Sequence, residues 1–186
     1  MEDNEIIELY WERSEAAISE TSKKYSRYCR YISFNILQNN EDSEECVNDT
    51  YLRAWNAMPP NRPNCLATFL GKITRNLALD RFKKYTAKKR DHGQIELVLS
   101  ELDDCVPVLP TVEQEIAEKE LVELLNDFLE SLPKNKRIIF MQRYWYLMPI
   151  KEIATRSGES ESQVKSALFR TRNTLKAILQ KEGVIL

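Results

Sequence analysis

The sequence predicts an all-α protein built as two small helical bundles. Apolar residues recur every three or four positions through most of the 186 residues, which is the spacing of helices that bury one face. Strand signals are scarce, and no Asn-Gly or Asp-Gly hairpin turn occurs. Between His92 and Pro110, an acidic cluster and two prolines interrupt the helical pattern. We therefore expect one bundle over 1–90, a linker over 91–112 and a second bundle over 113–186.

Four helices are predicted in the N-terminal bundle. Their apolar positions run, in chain order, from Ile6 to Tyr10, Tyr25 to Ile36, Val47 to Trp55, and Leu70 to Phe82. Asp42 or Ser43 can cap the third helix, which must end before Pro59–Pro60. On the fourth helix, Lys72 and Arg75 lie away from the apolar face, so that helix is expected to present a basic surface.

The C-terminal bundle is expected to begin with an acidic amphipathic helix. Its apolar residues run from Val112 to Leu132, and Pro133 ends it. A second helix follows from Ile138 to Leu147, and Pro149 is expected at the first position of a third.

The end of this bundle has the spacing of a helix-turn-helix. Ala154 precedes Gly158 by four residues and Val164 follows it by six, so the small alanine permits a close helix crossing and the glycine a positive φ. Ser160 or Ser162 can cap the second helix. Its polar face carries Lys165, Ser166, Phe169, Arg170, Arg172 and Lys176. Such groups are placed to meet base edges near the start of the helix and phosphates further along, although a purely structural hairpin is the alternative.

The formal net charge of −2 conceals two basic segments. Residues 72–90 carry eight basic side chains and one acidic one, and residues 134–181 carry eleven basic and three acidic ones. Acidic stretches lie before and between them, since 1–52 has twelve acidic and five basic side chains and 91–133 has twelve and one. Two basic patches separated by a repelling linker suit a bipartite contact with a polyanion. The alternative is that these runs are only solvated helix faces.

The sequence lacks the residue patterns of metal sites and common enzymes. With one histidine, His92, and no Cys-x-x-Cys pair, no zinc site can be assembled. Free thiols in a reducing compartment are expected for the four cysteines, Cys29, Cys46, Cys65 and Cys105. The four glycines are too scattered for a P-loop or a dinucleotide fingerprint. We therefore predict no catalytic residue, no metal and no cofactor.

The chain is expected to stay in the cytoplasm without inserting into a membrane. No segment approaches the roughly 20 apolar residues of a membrane-spanning helix. The start of the chain, Met1 to Glu5, is acidic where a secretory signal would be basic.

Three motifs occur in a definite order along the chain. They are Asp42 to Leu52, Phe69 to Asn76 followed by Asp80 and Arg81, and the C-terminal helix-turn-helix. In this order they resemble bacterial sigma factors of the extracytoplasmic-function (ECF) group. The resemblance implies a helical region 2 over 1–90, a helical region 4 over 113–186, and a non-enzymatic role in directing transcription initiation. It implies core RNA polymerase and promoter DNA as partners, and it leaves open an anti-sigma factor as a third.

The resemblance also implies three sets of binding residues. The third helix would dock on the clamp coiled coil of the polymerase through Asp42, Glu45, Asn48 and Asp49. The fourth helix and the loop before it would hold a base flipped out of the −10 element through Asn61, Arg62, Asn64, Lys72, Arg75 and Asn76. The second helix of the helix-turn-helix would bind the −35 element through Lys165, Ser166, Arg170, Arg172 and Lys176. An asparagine amide has both donors and an acceptor, so Asn76 is able to read an exposed base edge.

Two other functions are weighed against this one. A repressor or activator could use the same helix-turn-helix without docking on polymerase, with the first 90 residues as a ligand or dimerisation domain. That function leaves the patterns at Asp42–Asp49 and Arg75–Asn76 unexplained. A helical enzyme acting through carboxylates is less favoured, because the usual motifs are absent.

Overall fold

A computed structural model describes residues 1–86, 94–103 and 114–182. Within these ranges every regular element is a helix, which confirms the predicted all-α class. The chain divides into two compact units, residues 1–91 and 92–186. His92 and Cys105, on which sequence expectations also fell, lie outside the described residues.

The described part of the N-terminal unit, residues 1–86, contains four helices: α1 (Asp3–Trp11), α2 (Ala16–Leu37), α3 (Asn40–Ala57) and α4 (Leu66–Thr86). Long α2 packs against both α3 and α4, and these two pack against each other. The core they enclose includes Ile6, Tyr10, Cys29, Val47, Met58, Leu66 and Leu70. Most of these are the residues whose spacing predicted the helices, so the apolar faces do meet one another.

Helix α4 contacts α3 through small polar groups and α2 through a glycine that permits close packing. The hydroxyls of Thr50 and Thr74 lie 3.0 Å apart and are buried. Burial raises the pKa of the neighbouring Cys46 thiol to about 12, so the thiol stays protonated. Where α2 crosses α4, a Cβ added to Gly71 would lie 2.5 Å from the Tyr28 Oη, so the missing side chain permits this packing.

The cap expected for α3 was wrong by a few residues. Asn39 is the N-cap, and its side chain accepts a hydrogen bond from the backbone N–H of Asp42 at 3.0 Å. Asp42 and Ser43 therefore lie inside the first turn. Several cap-forming residues stand in a row here, and the sequence alone does not say which of them takes the extended backbone conformation that a cap needs.

In the C-terminal unit, residues 94–103 and 114–182 are described and contain five helices: α5 (Gln94–Asp103), α6 (Gln114–Ser131), α7 (Lys134–Tyr144), α8 (Ile150–Ser157) and α9 (Glu161–Lys181). Its core contains Phe128, Ile139, Phe140, Ile153, Val164, Leu168, Leu175 and Leu179. Helix α7 begins and ends earlier than the expected Ile138–Leu147. Pro149 is the N-cap of α8 rather than its first helical residue.

The segment expected to be a linker contains regular structure. Helix α5 falls inside 91–112, belongs to the C-terminal unit and packs against α7. Its Val98 side chain is fully buried. The helix-turn-helix has its expected geometry, since Gly158 adopts a φ of 70° and Ser160 caps α9 in a capping box with Gln163.

Candidate functional site

The outer face of α3 is the first candidate surface. Helical spacing places Glu41, Glu45, Asn48 and Leu52 along this face, and all four are exposed. Leu52 is 58% exposed, which makes it an apolar group within an otherwise polar row. Its exposure was not anticipated from the sequence, where an apolar residue at the end of a helix motif reads as core.

Three of the expected docking residues, Asp42, Glu45 and Asp49, are held by side chains of α4. The Arg81 guanidinium donates hydrogen bonds to Glu45 Oε2 at 2.7 Å and to Asp49 Oδ2 at 2.6 Å. The Arg81 side chain is only 17% exposed, and its hydrogen bonds to the two carboxylates raise its pKa. The Tyr85 hydroxyl donates to Asp42 Oδ1 at 3.1 Å. Arg81 therefore neutralises part of the negative charge of α3, and the Asp42 and Asp49 side chains are directed toward α4.

The second candidate surface lies on α4 and the loop that precedes it. Lys72 and Asn76 are one helical turn apart and both exposed, as expected of groups that contact a ligand. Arg75 is half-buried beside them, and burial lowers its pKa. It remains a cation at neutral pH because the ordinary pKa of arginine is so high.

The three loop residues of this surface are all exposed. Arg62 pairs with Glu8 of α1, and its guanidinium lies 5.5 Å from the centroid of the Trp11 ring. Asn61 donates from its amide to the Ala57 carbonyl at 2.9 Å. The loop is thus tied to α1 and to the end of α3, while the side chain of Asn64 faces solvent.

The third candidate surface is the solvent face of α9. Ser166 and Arg170 line a groove together with Lys136 of α7 and the side chains of Ser162 and Gln163. Lys165 is also exposed, but it lies about 100° around the helix from Ser166 and does not line the groove. Lys136 falls in the basic segment 134–181 but was not among the predicted −35-binding residues, because those were sought only within the helix-turn-helix.

Arg172 does not share this surface. Its Nη1 donates to the Tyr144 hydroxyl at 2.6 Å and to Glu101 Oε2 at 3.3 Å, and its side chain is only 19% exposed. Burial raises the pKa of Tyr144 to about 12, so the phenol is neutral. Arg172 is therefore engaged inside the C-terminal unit rather than presented to a phosphate. Lys176, one turn further along, is half-buried.

Within 1–86, 94–103 and 114–182, no group of three His, Cys, Asp or Glu side chains is arranged to hold a metal ion. Among the helices of the same ranges, none is long and apolar enough to cross a membrane. The three surfaces offer carboxylates, an amide and one leucine on α3, and cations and amides on α4 and α9.

Two segments of the chain match known families. Residues 22–88 match Sigma-70 region 2, and residues 123–175 match Sigma-70, region 4. The first segment contains α3, the loop and α4. The second contains α7, the helix-turn-helix and most of α9, whereas α5 lies outside both.

The chain is similar along most of its length to three named sigma factors. It is 26% identical to the ECF RNA polymerase sigma factor SigM of Bacillus subtilis, over 84% of this chain and 93% of that protein. It is 25% identical to the probable RNA polymerase sigma factor RfaY of Xanthomonas campestris pv. campestris, over 78% of this chain and 36% of that protein. It is 24% identical to the ECF RNA polymerase sigma factor SigE of Mycolicibacterium smegmatis, over 82% and 57%. The matched part thus spans about a third of RfaY and nearly all of SigM.

Proposed function

The chain belongs to the sigma-70 family, in its ECF group, and from this premise we propose that it binds core RNA polymerase and directs it to promoters with particular −10 and −35 elements. One observation carries the proposal: a single chain holds both matched regions, and each contains an exposed surface suited to its part. We assign no catalytic step to the chain, and we place it in the cytoplasm, where RNA polymerase and DNA are.

Helix α3 is proposed to make the polymerase contact. Glu41, Glu45 and Asn48 offer acceptors to a basic partner surface, and Leu52, one turn beyond Asn48 on the same face, offers an apolar anchor. Interfaces commonly combine a desolvated apolar centre with a polar surround. Asp42 and Asp49 contribute negative potential at the side of this face, although Tyr85 and Arg81 already engage them.

The α4 surface is proposed to bind the −10 element as a single strand. Asn76 supplies an amide that reads a base edge, and Lys72 and Arg75 supply positive charge along the strand. In the preceding loop, Asn64 and Arg62 are close enough in sequence to follow the same strand. The donors of Arg62 not used by Glu8 suit a phosphate.

Helix α9 is proposed to read duplex DNA in the −35 element. Lys165, Ser166 and Arg170 lie in its first half, which is the part of a recognition helix that contacts base edges. Lys136, which lines the groove with Arg170, and Lys176, further along α9, are proposed to contact phosphates.

Transcription with purified core polymerase tests the proposed function. We expect the chain to co-purify with core enzyme and to support run-off transcription from a subset of promoters. Its own binding to duplex DNA should be weak at physiological salt, because its net charge is −2 and the acidic segments offset the basic ones. Tight sequence-specific binding by the free chain, without any association with polymerase, would instead indicate a repressor or activator.

Replacing Asn76 with alanine separates promoter opening from assembly. We expect Asn76→Ala to leave core binding intact and to reduce the open-complex population about tenfold or more, since contacts to one base edge are worth about 1–3 kcal/mol. Permanganate footprinting on a duplex promoter and on a pre-melted bubble would measure this. Thr68→Ala, at an exposed position two turns earlier on α4, is the matched control. If Asn76→Ala reduces the open-complex population equally on both templates, Asn76 does not act in promoter melting.

A further inference from the structure

Helix α5 lies outside both matched segments, yet one of its side chains sits at the centre of the C-terminal unit. Glu101 is the point where α5, α7 and α9 come together. Its side chain is 18% exposed, so most of the carboxylate is enclosed by its partners. A single side chain from the segment expected to be a linker therefore joins three helices of the DNA-binding unit.

The partner on α7 is a buried arginine. The Arg143 side chain is 2% exposed, and it donates to Glu101 from two nitrogens, Nη2 to Oε1 at 2.7 Å and Nε to Oε2 at 3.3 Å. Its Nη1 donates to the Met148 carbonyl at 3.2 Å. A buried guanidinium needs a compensating charge, and the two-point pairing with Glu101 supplies it.

The partners on the other side are a tyrosine and the second arginine. The Tyr144 hydroxyl donates to Glu101 Oε2 at 3.0 Å and accepts from Arg172 Nη1 at 2.6 Å. Arg172 also reaches Glu101 Oε2 directly, at 3.3 Å. Through this arrangement one carboxylate holds two cations that belong to different helices.

The charge of Glu101 affects more than its ion pair with Arg143. Arg143 Nε and Arg172 Nη1 both lie 3.3 Å from Glu101 Oε2, so removing the charge of Glu101 takes a shared counter-ion from two neighbouring cations. Like charges repel strongly where they are shielded from water. We expect α9 to move away from α7, because this relieves the repulsion. The groove lined by Lys136 on α7 and by Ser166 and Arg170 on α9 depends on how these two helices sit.

We propose that Glu101 is a positioning residue for DNA recognition, which fixes α9 against α7 and thereby makes α5 a functional part of the −35-binding unit. The inference rests on the proposed function of α9 in reading duplex DNA. It assigns to a segment outside the region 4 match an influence on promoter choice that acts through α9.

The test compares promoters that differ only in the −35 element. Holoenzymes reconstituted with each variant are bound to a promoter with an intact −35 element and to one with that element scrambled, and the ratio of affinities is measured. Glu101→Gln should lower this ratio about tenfold, as expected for groups coupled in one network. Glu123→Gln, which removes an exposed charge from α6 of the same unit, should leave it unchanged.

A second substitution distinguishes positioning from mere loss of folding. Adding Arg172→Met to Glu101→Gln removes the repulsion between the two cations, so the ratio should recover about threefold although another hydrogen bond has been lost. Hydrogen exchange should show α9 protected in both variants. An unchanged ratio in Glu101→Gln, or a double variant worse than the single one, would overturn the inference. If the parent holoenzyme binds both promoters with equal affinity, the chain does not read the −35 element. The parent is measured first, so this failure of the proposed function is distinguished from failure of the inference about Glu101.

Discussion

Replacing Arg143 with alanine should destabilise the C-terminal unit by about 3–5 kcal/mol, the cost of breaking a buried ion pair by removing one partner. The Arg143 side chain is 2% exposed and is held by Glu101 and the Met148 carbonyl. Its removal takes the buried guanidinium away from Glu101 and from the Met148 carbonyl, and it opens a cavity between α5 and α7. Both effects act on the folded state, and so the free energy of unfolding falls.

Arg156→Ala is the matched control within the same unit. Arg156 pairs with Glu152 at 2.6 Å on the surface of α8, with 48% and 38% of the two side chains exposed. Solvent screening limits such a pair to about 0–1 kcal/mol. Both substitutions replace an arginine that is paired with a glutamate by alanine. The difference between their effects on the free energy of unfolding therefore measures the contribution of burial.

Peptide-resolved hydrogen exchange on the full chain measures this difference where it arises. Amides of α7 and α9 should exchange much faster in Arg143→Ala, whereas those of α2 and α3 in the N-terminal unit should keep the parent rates. Equal effects of Arg143→Ala and Arg156→Ala would mean that the guanidinium of Arg143 is not the buried charge described above.

The helices and the helix-turn-helix could be predicted because their signals are local. Gly158 in the turn and Ser160 at the cap act through the backbone within a few residues, and apolar spacing marks which face is buried. Apolar residues such as Val164 and Leu168 are buried as their spacing requires. Such features do not depend on what lies far along the chain.

The Glu101 cluster could not be predicted because its signal is not local. Glu101 is one acid among twelve in residues 91–133, and nothing in the spacing separates it from the others. Its partner Arg172 lies 71 positions away. On a helical projection Arg172 lies at the edge of the apolar stripe of α9, so either an inward or an outward direction was compatible with the pattern.

The same limit applies to the face of α3. The sequence predicted an acidic row, but the tie of Arg81 to Glu45 and Asp49 depends on how α3 and α4 pack. The packing turns Asp49 partly away from solvent and leaves Leu52 exposed. Tertiary structure therefore determines which residues of α3 a partner can contact.

The outer face of α3 provides the other large expected effect. In the double variant Asn48→Arg/Leu52→Arg, affinity for core polymerase should fall about thirtyfold or more, since loss of a central anchor costs about 2 kcal/mol or more at many interfaces. Two added cations on a face proposed to meet a basic surface should weaken it further, and the loss should be greater at low salt. Neither residue is buried, so the N-terminal unit should remain folded.

Competition for core polymerase against the labelled parent chain measures this affinity, with circular dichroism confirming helix content. The control is Glu12→Gln/Glu15→Gln, which adds the same two units of positive charge at exposed positions around the α1–α2 turn. A specific contact on α3 predicts that the control binds like the parent, whereas a long-range effect of net charge predicts equal losses in both variants. Parent-like affinity in Asn48→Arg/Leu52→Arg would place the polymerase contact on another face of the N-terminal unit, because two arginines cannot enter a packed interface against a basic partner without cost.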